Sequence, residues 1–269
     1  MAQKQPGYAL ITGASSGIGE AFAHHAAKMG VHLGLSARRE DRLEALARQL
    51  RAAHGIEADV FGADLSLPGA GLALAKRVLD AGRTPDMLVN NAGFSIAQGF
   101  AASSYEAQRG FIELTITTPV ALSHAFLRAM LEGGYGRIIN ISSLTALTCG
   151  GKGHTLYPGA KAFLLKFSQS LNAEVHERGV HVSAVLPGVV QTGFAAANGT
   201  ADKLGGHPPP FAQQPGEIVA EAWRRNERGD EVIVPGLAPK LAAAAFQYMP
   251  QGLMRMFTRA IAEKYYAGD

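Results

Sequence analysis

Short apolar runs alternate along this chain with longer stretches in which apolar residues recur at helical spacing. Such runs are typical of buried strands, and their alternation with helix-length segments indicates βαβ units and a parallel sheet. Strands are predicted at residues 8–12, 32–36, 57–62, 87–90, 137–142, 181–186 and 231–234. Helices are predicted at residues 17–29, 39–54, 70–81, 105–132, 157–178 and 216–229.

These elements predict an α/β protein with a doubly wound, seven-stranded parallel sheet of the Rossmann type in a single domain. Right-handed crossovers give the strand order 3-2-1-4-5-6-7 and place a ligand site at the carboxyl ends of the strands. Residues 1–236 form this unit in the prediction, and a mobile loop at residues 194–215 is placed to cover a ligand. Residues 237–269 are predicted to add a helical extension to the same domain.

The composition excludes several classes of partner. Only 17% of residues are charged, the net charge is +3, and no basic run is interleaved with aromatic residues, so we expect no nucleic-acid partner. The single cysteine, Cys149, cannot form an internal disulfide, which fits a reducing compartment. No run reaches the roughly 18 apolar residues that a membrane span needs, and no signal peptide is recognised. We expect a cytoplasmic protein without membrane contact.

A glycine-rich turn follows the first predicted strand and opens the first predicted helix. Its sequence over residues 13–19 is Gly-Ala-Ser-Ser-Gly-Ile-Gly. In a strand–turn–helix context, Gly13 permits the tight turn, Gly17 lets the backbone approach a pyrophosphate, and Gly19 lets the helix pack closely on the strand. The helix N-terminus then favours an anion through its free N–H groups and its dipole. The alternative is an ordinary glycine-rich turn.

Tyr157 and Lys161 stand four residues apart, about one helical turn, so both project from one face of a helix. A free phenol has a pKa near ~10 and is a poor acid at neutral pH. A cation beside it favours the phenolate and lowers that pKa toward the working range. The spacing therefore favours a tyrosine that exchanges a proton with a substrate.

Four further segments accompany these two motifs in order along the chain. They are Asp64-Leu65, Asn90-Asn91-Ala92-Gly93, Ile141-Ser142-Ser143 and Pro187-Gly188-Val189-Val190-Gln191-Thr192. With this ordered set, the chain resembles the short-chain dehydrogenases/reductases, in their short single-domain branch, from about residue 6 to residue 192.

The resemblance implies the roles of the catalytic residues. Tyr157 would donate or accept the proton, Lys161 would hold the nicotinamide ribose hydroxyls and lower the pKa of the phenol, and Ser143 would stabilise charge on the substrate oxygen. Ser142 is expected to pack or to form a hydrogen bond at the strand end. Many relatives carry a water-holding asparagine in the long helix, where this chain has Thr115.

The resemblance also implies the cofactor, which we predict to be NADP(H). Ala37 occupies the place of an acidic residue that favours NAD, and Arg38 follows it, where a guanidinium can pair with a 2′-phosphate. Arg39 is expected to begin the next helix. For Asn91, a role in holding the fourth strand is an alternative to cofactor contact. The implied cofactor contacts are Gly13, Ser15, Ser16, Gly17, Ile18, Gly19, Arg38, Asp64, Leu65, Asn90, Ala92, Gly93, Tyr157, Lys161, Pro187, Gly188, Val190 and Thr192.

The sequence thus predicts an NADP(H)-dependent oxidoreductase that interconverts a carbonyl and an alcohol on a small, hydrophobic substrate. A low-turnover NADP(H)-binding sensor or scaffold, suggested by Thr115 and an atypical active-site loop, is the alternative. Lys152 and His154 in that loop either touch substrate or are solvated.

The C-terminal region is predicted to form two short helices at residues 241–246 and 253–261, broken at residues 250–252. The apolar face of the second carries Leu253, Met256, Phe257, Ala260 and Ile261. It either packs on its own domain or on a partner subunit, or forms a flap that closes over substrate or touches a membrane. We expect packing within a homodimer or homotetramer.

Overall fold

In the computed structural model of the protein, residues 5–96, 98–151, 155–191 and 212–266 are described. Thr192, Lys152, His154 and most of the predicted loop at residues 194–215 lie outside these ranges, so the predictions made for them stay predictions.

Seven parallel strands form the central sheet in the order β3-β2-β1-β4-β5-β6-β9. This confirms the predicted fold class and strand order, and the strand limits differ from the prediction by only one or two residues. The strands are β1 (Tyr8–Thr12), β2 (His32–Ala37), β3 (Ala58–Gly62), β4 (Met87–Asn90), β5 (Gly136–Ile141), β6 (Val180–Val185), β7 (Val189–Val190), β8 (Ala212–Gln213) and β9 (Val232–Ile233).

The short strands β7 and β8 form a separate two-stranded parallel sheet that the sequence did not predict. Val189 pairs with Ala212, and Val190 pairs with Gln213. Strands of two residues carry too little periodicity to be recognised in a sequence. Their pairing joins the segment that follows β6 to the segment that precedes the next long helix.

Helices cover both faces of the sheet. They are α1 (Gly17–Lys28), α2 (Glu40–His54), α3 (Ala70–Asp80), α4 (Tyr105–Ile112), α5 (Thr118–Glu132), α6 (Tyr157–Val175), α7 (Pro215–Glu227), α8 (Leu237–Tyr248) and α9 (Gln251–Tyr266). The predicted helix at residues 157–178 is shorter in the structure, because its last three residues form a 3-10 turn. One core cluster includes Phe22, Leu43 and Trp223, and a second, formed with α3 and α5, includes Leu74 and Phe126.

The predicted helix at residues 105–132 is continuous but not uniform. A π-helical turn, Glu113–Thr117, separates α4 from α5. Pro119 stands in the first turn of α5 and has no N–H to donate to the Thr115 carbonyl four residues earlier, so a regular α-helical ladder cannot pass this point. Within the described residues, this helix alone is long and apolar enough to cross a membrane, a test that buried core helices also pass.

The C-terminal helices are longer than predicted, and most of the described residues on the predicted apolar face of the second are exposed. Leu253, Met256 and Phe257 are 55%, 70% and 40% exposed, whereas Met254 is buried. Phe257 contacts Phe246 of α8, with ring centroids 5.6 Å apart. A partner subunit or a membrane surface as the counterpart of this face stays a prediction.

Candidate active site

The carboxyl ends of β1, β4, β5 and β6 bring the residues singled out in the sequence to one edge of the sheet. Parallel strands end together at such an edge, and helix N-termini face it. The glycine-rich turn follows β1, residues 90–93 end β4, Ser143 follows β5, and Pro187 follows β6. Tyr157 is the first residue of α6.

The glycine-rich turn requires glycine for two different reasons. Gly13 and Gly17 have φ values of 66° and 63°, a backbone region that side chains disfavour. Gly19 is required by packing, because a Cβ at this position would lie 2.3 Å from the Gly13 carbonyl oxygen and 2.5 Å from Asn91 Nδ2. The turn and the start of α1 are therefore seated directly against Asn91.

Asn91 holds the glycine-rich turn to the end of β4. Its Nδ2 donates hydrogen bonds to the Thr12 carbonyl (3.0 Å) and the Gly13 carbonyl (3.2 Å), and its backbone N–H donates to Thr12 Oγ1 (3.0 Å). These contacts agree with the structural alternative for Asn91. They fix the position at which the N-terminal N–H groups of α1 can meet an anion.

Gly19→Ala is expected to destabilise the protein by about 1–3 kcal/mol and to weaken dinucleotide binding, because the added methyl must displace backbone or the Asn91 amide. Urea unfolding and the Kd for the predicted cofactor, NADP(H), measure the two effects. Gly216→Ala is the matched control, since a Cβ at Gly216, in the first turn of α7, meets no atom within 4 Å. Equal stability of the two variants would contradict the packing argument.

Two of the predicted cofactor residues turn their side chains into the protein interior. Asn90 is buried, and its Nδ2 donates to Asn140 Oδ1 (2.8 Å), which belongs to a polar chain that continues to Ser168 of α6. Leu65 packs in the core. Only the backbone of these two residues is available to a ligand at the strand ends.

Polar and charged side chains follow the carboxyl ends of β2 and β3. Arg38 is exposed there, and its charge acts on Asp64. Burial raises the pKa of Asp64, but hydrogen bonds from Ser66 and the charge of Arg38 outweigh it and hold this pKa below its ordinary value. Asp64 is thus an anion that the charge of Arg38 helps to stabilise.

Arg39 has a contact that the sequence did not reveal. Its guanidinium donates to Ser15 Oγ (3.0 Å) and Ser16 Oγ (3.1 Å) of the glycine-rich turn, while the helix itself begins at Glu40. One cation, Arg39, is therefore in direct contact with the turn, and Arg38 directly precedes Arg39 in the chain. A guanidinium in this position can pair with an anionic ligand group.

The side chains of Tyr157 and Lys161 meet at the start of α6. Lys161 Nζ lies 5.5 Å from the centroid of the Tyr157 ring and donates to the Ile141 carbonyl at the end of β5 (2.8 Å). Lys161 is only 6% exposed, and desolvation lowers its pKa to about 8. Gly93 lies against the same ammonium, since a Cβ at Gly93 would be 4.0 Å from Lys161 Nζ.

The two serines after β5 differ in their contacts. Ser142 is buried, and its Oγ donates to the Lys161 carbonyl (2.7 Å), which agrees with the prediction of a hydrogen bond at the strand end. Ser143 caps the 3-10 turn Leu144–Leu147, and its Oγ accepts a hydrogen bond from the Thr145 N–H (3.2 Å). Because an accepted bond leaves the hydroxyl proton free to be donated, Ser143 can still act on a ligand oxygen.

Thr115 lies in the π turn, which packs against α6. It is 1% exposed, and its Oγ1 donates to the Phe111 carbonyl (2.6 Å). The hydroxyl proton is therefore used within the helix. Phe111 in turn contacts the Tyr157 ring, with centroids 6.3 Å apart.

Gln213 is a site residue that sequence reasoning missed. Its Oε1 accepts from the Gly188 N–H (2.9 Å), and its Nε2 donates to the Pro235 carbonyl (2.8 Å). The Pro187 carbonyl accepts from the Leu144 N–H (3.1 Å), directly after Ser143. The segment after β6 thus forms hydrogen bonds with the 3-10 turn that Ser143 caps on one side and with Gln213 of β8 on the other. No sequence signal links Gln213 to Gly188, because the contact depends on the β7–β8 pairing.

Comparison with known proteins decides the family. The family model for short chain dehydrogenases matches residues 7–203. The chain belongs to this family. An oxidoreductase of Myxococcus xanthus is 33% identical to this short-chain dehydrogenase over 241 residues, which is 87% of this chain and 90% of the relative.

Two solved structures share the fold of this short-chain dehydrogenase. A short-chain dehydrogenase from Sphingobium yanoikuyae in complex with NADPH is 33% identical, with a TM-score of 0.78, over 92% of this chain and 94% of that one. L-sorbose reductase from Gluconobacter frateurii, complexed with NADPH and L-sorbose, is 27% identical, with a TM-score of 0.74, over 88% of this chain and 97% of that one. The protein is therefore an oxidoreductase of this family with a Rossmann-like fold.

Proposed function

We propose that this protein is an NADP(H)-dependent oxidoreductase that interconverts a carbonyl and an alcohol on a small, largely apolar substrate. The observation that carries the proposal is the buried ammonium of Lys161, held 5.5 Å from the Tyr157 ring centroid at the carboxyl edge of the sheet. Within the described residues the Lys161 ammonium has no carboxylate partner and donates to the neutral Ile141 carbonyl, and a cation beside a phenol favours the phenolate.

In this proposal Tyr157, Ser143 and Lys161 each have a role in the transfer of the proton. Tyr157 donates its phenolic proton to the carbonyl oxygen during reduction and takes a proton from the alcohol during oxidation. Ser143 donates a hydrogen bond to the same oxygen and stabilises the charge that develops on it. Lys161 stabilises the phenolate that is left and holds the ribose. The cofactor supplies or accepts the hydride.

Thr115 has a limited part in this proposal. Its hydroxyl proton is committed to Phe111, so the side chain can only accept a hydrogen bond, for instance from a water near α6. This observation favours the second candidate function, a sensor that binds NADP(H) with little turnover. Purified protein with NADPH and a broad panel of ketones and aldehydes separates the two: oxidation of NADPH supports the enzyme, whereas tight binding without oxidation of any member supports the sensor.

The proposed cofactor is NADP(H), held by the glycine-rich turn, Arg38 and Arg39 at the adenosine end, and residues 187–190 at the nicotinamide end. Two similar structures contain NADPH, which supports this choice. We also propose that the protein acts in the cytoplasm as a homodimer or homotetramer. Light scattering of the purified protein measures the oligomeric state.

Arg38→Ala is expected to weaken NADPH binding about 10- to 100-fold and NADH binding less than about threefold, because a charge-assisted bond to a 2′-phosphate is worth about 1.5–3 kcal/mol. Calorimetric titration of both cofactors measures the ratio. Arg48→Ala, an exposed arginine farther along α2, controls for the change in net charge. Equal weakening of both cofactors by Arg38→Ala would rule out the phosphate contact.

A further inference from the structure

A cavity lies beside the Tyr157 ring, between α4 and the start of α6. Its lining includes the apolar side chains of Ile96, Phe111 and Leu156 and the polar residues Gln108, Thr155 and Tyr157. The cavity has room for about one water-sized group, so a substrate whose carbonyl oxygen meets the Tyr157 phenol would place a small substituent in it. No carboxylate, ammonium or guanidinium is among these lining residues, so the cavity suits a neutral group.

Gln108 is the unusual member of this lining. It is only 6% exposed, and its Nε2 donates to Ser103 Oγ. The Ser103 hydroxyl donates its single proton to the Phe100 carbonyl (3.0 Å), so it can only accept from Gln108. The orientation of the Gln108 amide is thereby fixed, with the nitrogen toward Ser103.

The fixed orientation leaves the amide oxygen without a partner. Gln108 Oε1 is buried and makes no hydrogen bond in the described part of the chain. Leaving a buried acceptor unpaired is unfavourable, and most such groups in proteins are paired. Gln108 lines the same cavity as Tyr157, so its amide oxygen is a candidate acceptor for a donor group of a ligand that enters the cavity.

We propose that Gln108 Oε1 accepts a hydrogen bond from a hydroxyl group of the substrate, distinct from the reacting oxygen. The substrate is then a hydroxyketone in the reductive direction and a diol in the oxidative direction. A hydroxyl suits the cavity better than an ammonium, because the described lining residues include no anion. A hydroxyl also suits the cavity better than an N–H group, because a hydroxyl can accept a hydrogen bond from Thr155 as well as donate one to Gln108. This inference rests on the proposed carbonyl reduction.

The test compares ketones that differ by one hydroxyl: cyclohexanone with 3- and 4-hydroxycyclohexanone, and 2-butanone with 3-hydroxy- and 4-hydroxy-2-butanone. NADPH oxidation by the full-length protein gives kcat/KM for each. We expect the preferred hydroxyketone of a set to exceed its parent ketone about tenfold, since a neutral hydrogen bond that satisfies a buried group contributes about 1–2 kcal/mol. In Gln108→Met, this ratio is expected to fall to near one.

Two further variants test whether the kcat/KM ratio depends on the buried acceptor or on the general polarity of the cavity. Gln98→Met makes the same change at another lining residue, one that is exposed, and is expected to keep the ratio. Ser103→Ala removes the group that fixes the Gln108 amide, and the ratio is expected to fall partway because the amide can then turn. Ser103→Ala also provides the test if Gln108→Met does not fold.

Each outcome bears on the inference. A wild-type protein that reduces the parent ketones as well as the hydroxyketones overturns it, as does a ratio that survives both Gln108→Met and Ser103→Ala. A wild-type protein that reduces parent ketones while hydroxyketones are rejected overturns the subsite but leaves the proposed function intact. If no ketone in the panel is reduced, carbonyl reduction of this class fails, and the hydroxyl subsite fails with it.

Discussion

Tyr157→Phe is expected to lower kcat for carbonyl reduction by about a thousandfold while the Kd for NADPH changes less than about threefold. The phenylalanine keeps the ring and its contact with Phe111 but has no proton to transfer, and general acid catalysis contributes about 10²–10⁴ in rate. Single-turnover oxidation of bound NADPH, with a ketone that the wild-type protein reduces, measures the chemical step. Fluorescence titration measures cofactor binding.

Tyr105→Phe is the matched control, because it removes the same hydroxyl from a residue that is 74% exposed at the start of α4. Its kcat is expected to equal that of the wild-type protein. Normal turnover by Tyr157→Phe would show that another group donates the proton. A parallel loss of NADPH binding would instead assign the phenol to the cofactor and not to the substrate.

Lys161→Met is expected to have opposite effects on activity and on stability. Activity falls by at least about a hundredfold, because the phenolate loses the cation that stabilises it. The free energy of unfolding at pH 7 rises, because an apolar side chain replaces a buried ammonium whose pKa desolvation lowers to about 8. Relative to the ordinary lysine pKa, this shift corresponds to about 3 kcal/mol, from which the lost hydrogen bond to the Ile141 carbonyl subtracts about 1 kcal/mol.

The pH dependence of this stability difference has a definite sign. Below pH 8 both the folded and the unfolded protein carry the ammonium, so the folded wild-type protein bears the whole cost of burying it. Between pH 8 and the ordinary lysine pKa of 10.5, the unfolded chain binds more protons than the folded one, and the wild-type protein therefore gains stability as the pH rises. The advantage of Lys161→Met is expected to be full at pH 7 and to shrink through this window.

Denaturant unfolding at pH 7, 8 and 9.5 measures how the stability difference between Lys161→Met and the wild-type protein changes with pH. Lys166→Met is the control. Lys166 is exposed on the same helix, and its replacement is expected to change stability by less than about 0.5 kcal/mol at every pH. A Lys161→Met protein that is less stable than wild type at pH 7 would show that the ammonium is better stabilised by its surroundings than desolvation implies.

The fold was predictable because its signals are local. The glycine-rich turn stands between an apolar run and a helical stretch, and the neighbouring residues alone encode the positive φ at Gly13 and Gly17. Alternation of strands with helices then leaves few arrangements, since crossovers are right-handed, and the strand order followed. The placement of Tyr157 and Lys161 on one face of α6 is likewise a property of helical spacing.

The predictions for two other segments differ from the structure, and each difference has a physical reason. The π turn before Pro119 interrupts a helix whose apolar periodicity looks uniform, because periodicity reports which face is buried and not how the carbonyls are bonded. On the apolar face predicted for α9, Leu253, Met256 and Phe257 are exposed. Helical spacing identifies an apolar stripe but not the surface that it packs against.

The sequence by itself thus determined the architecture, the edge of the sheet that carries the site, and the tyrosine–lysine pair, since each depends on residues within a few positions of one another. The tertiary structure decided which polar group each side chain meets. It turned Asn90 into the core and Asn91 onto the glycine-rich turn, brought Arg39 to Ser15 and Ser16, and tied Gln213 to Gly188. These partners are 23 to 79 residues apart in the chain, so the packing of whole elements, and not any local pattern, selects them.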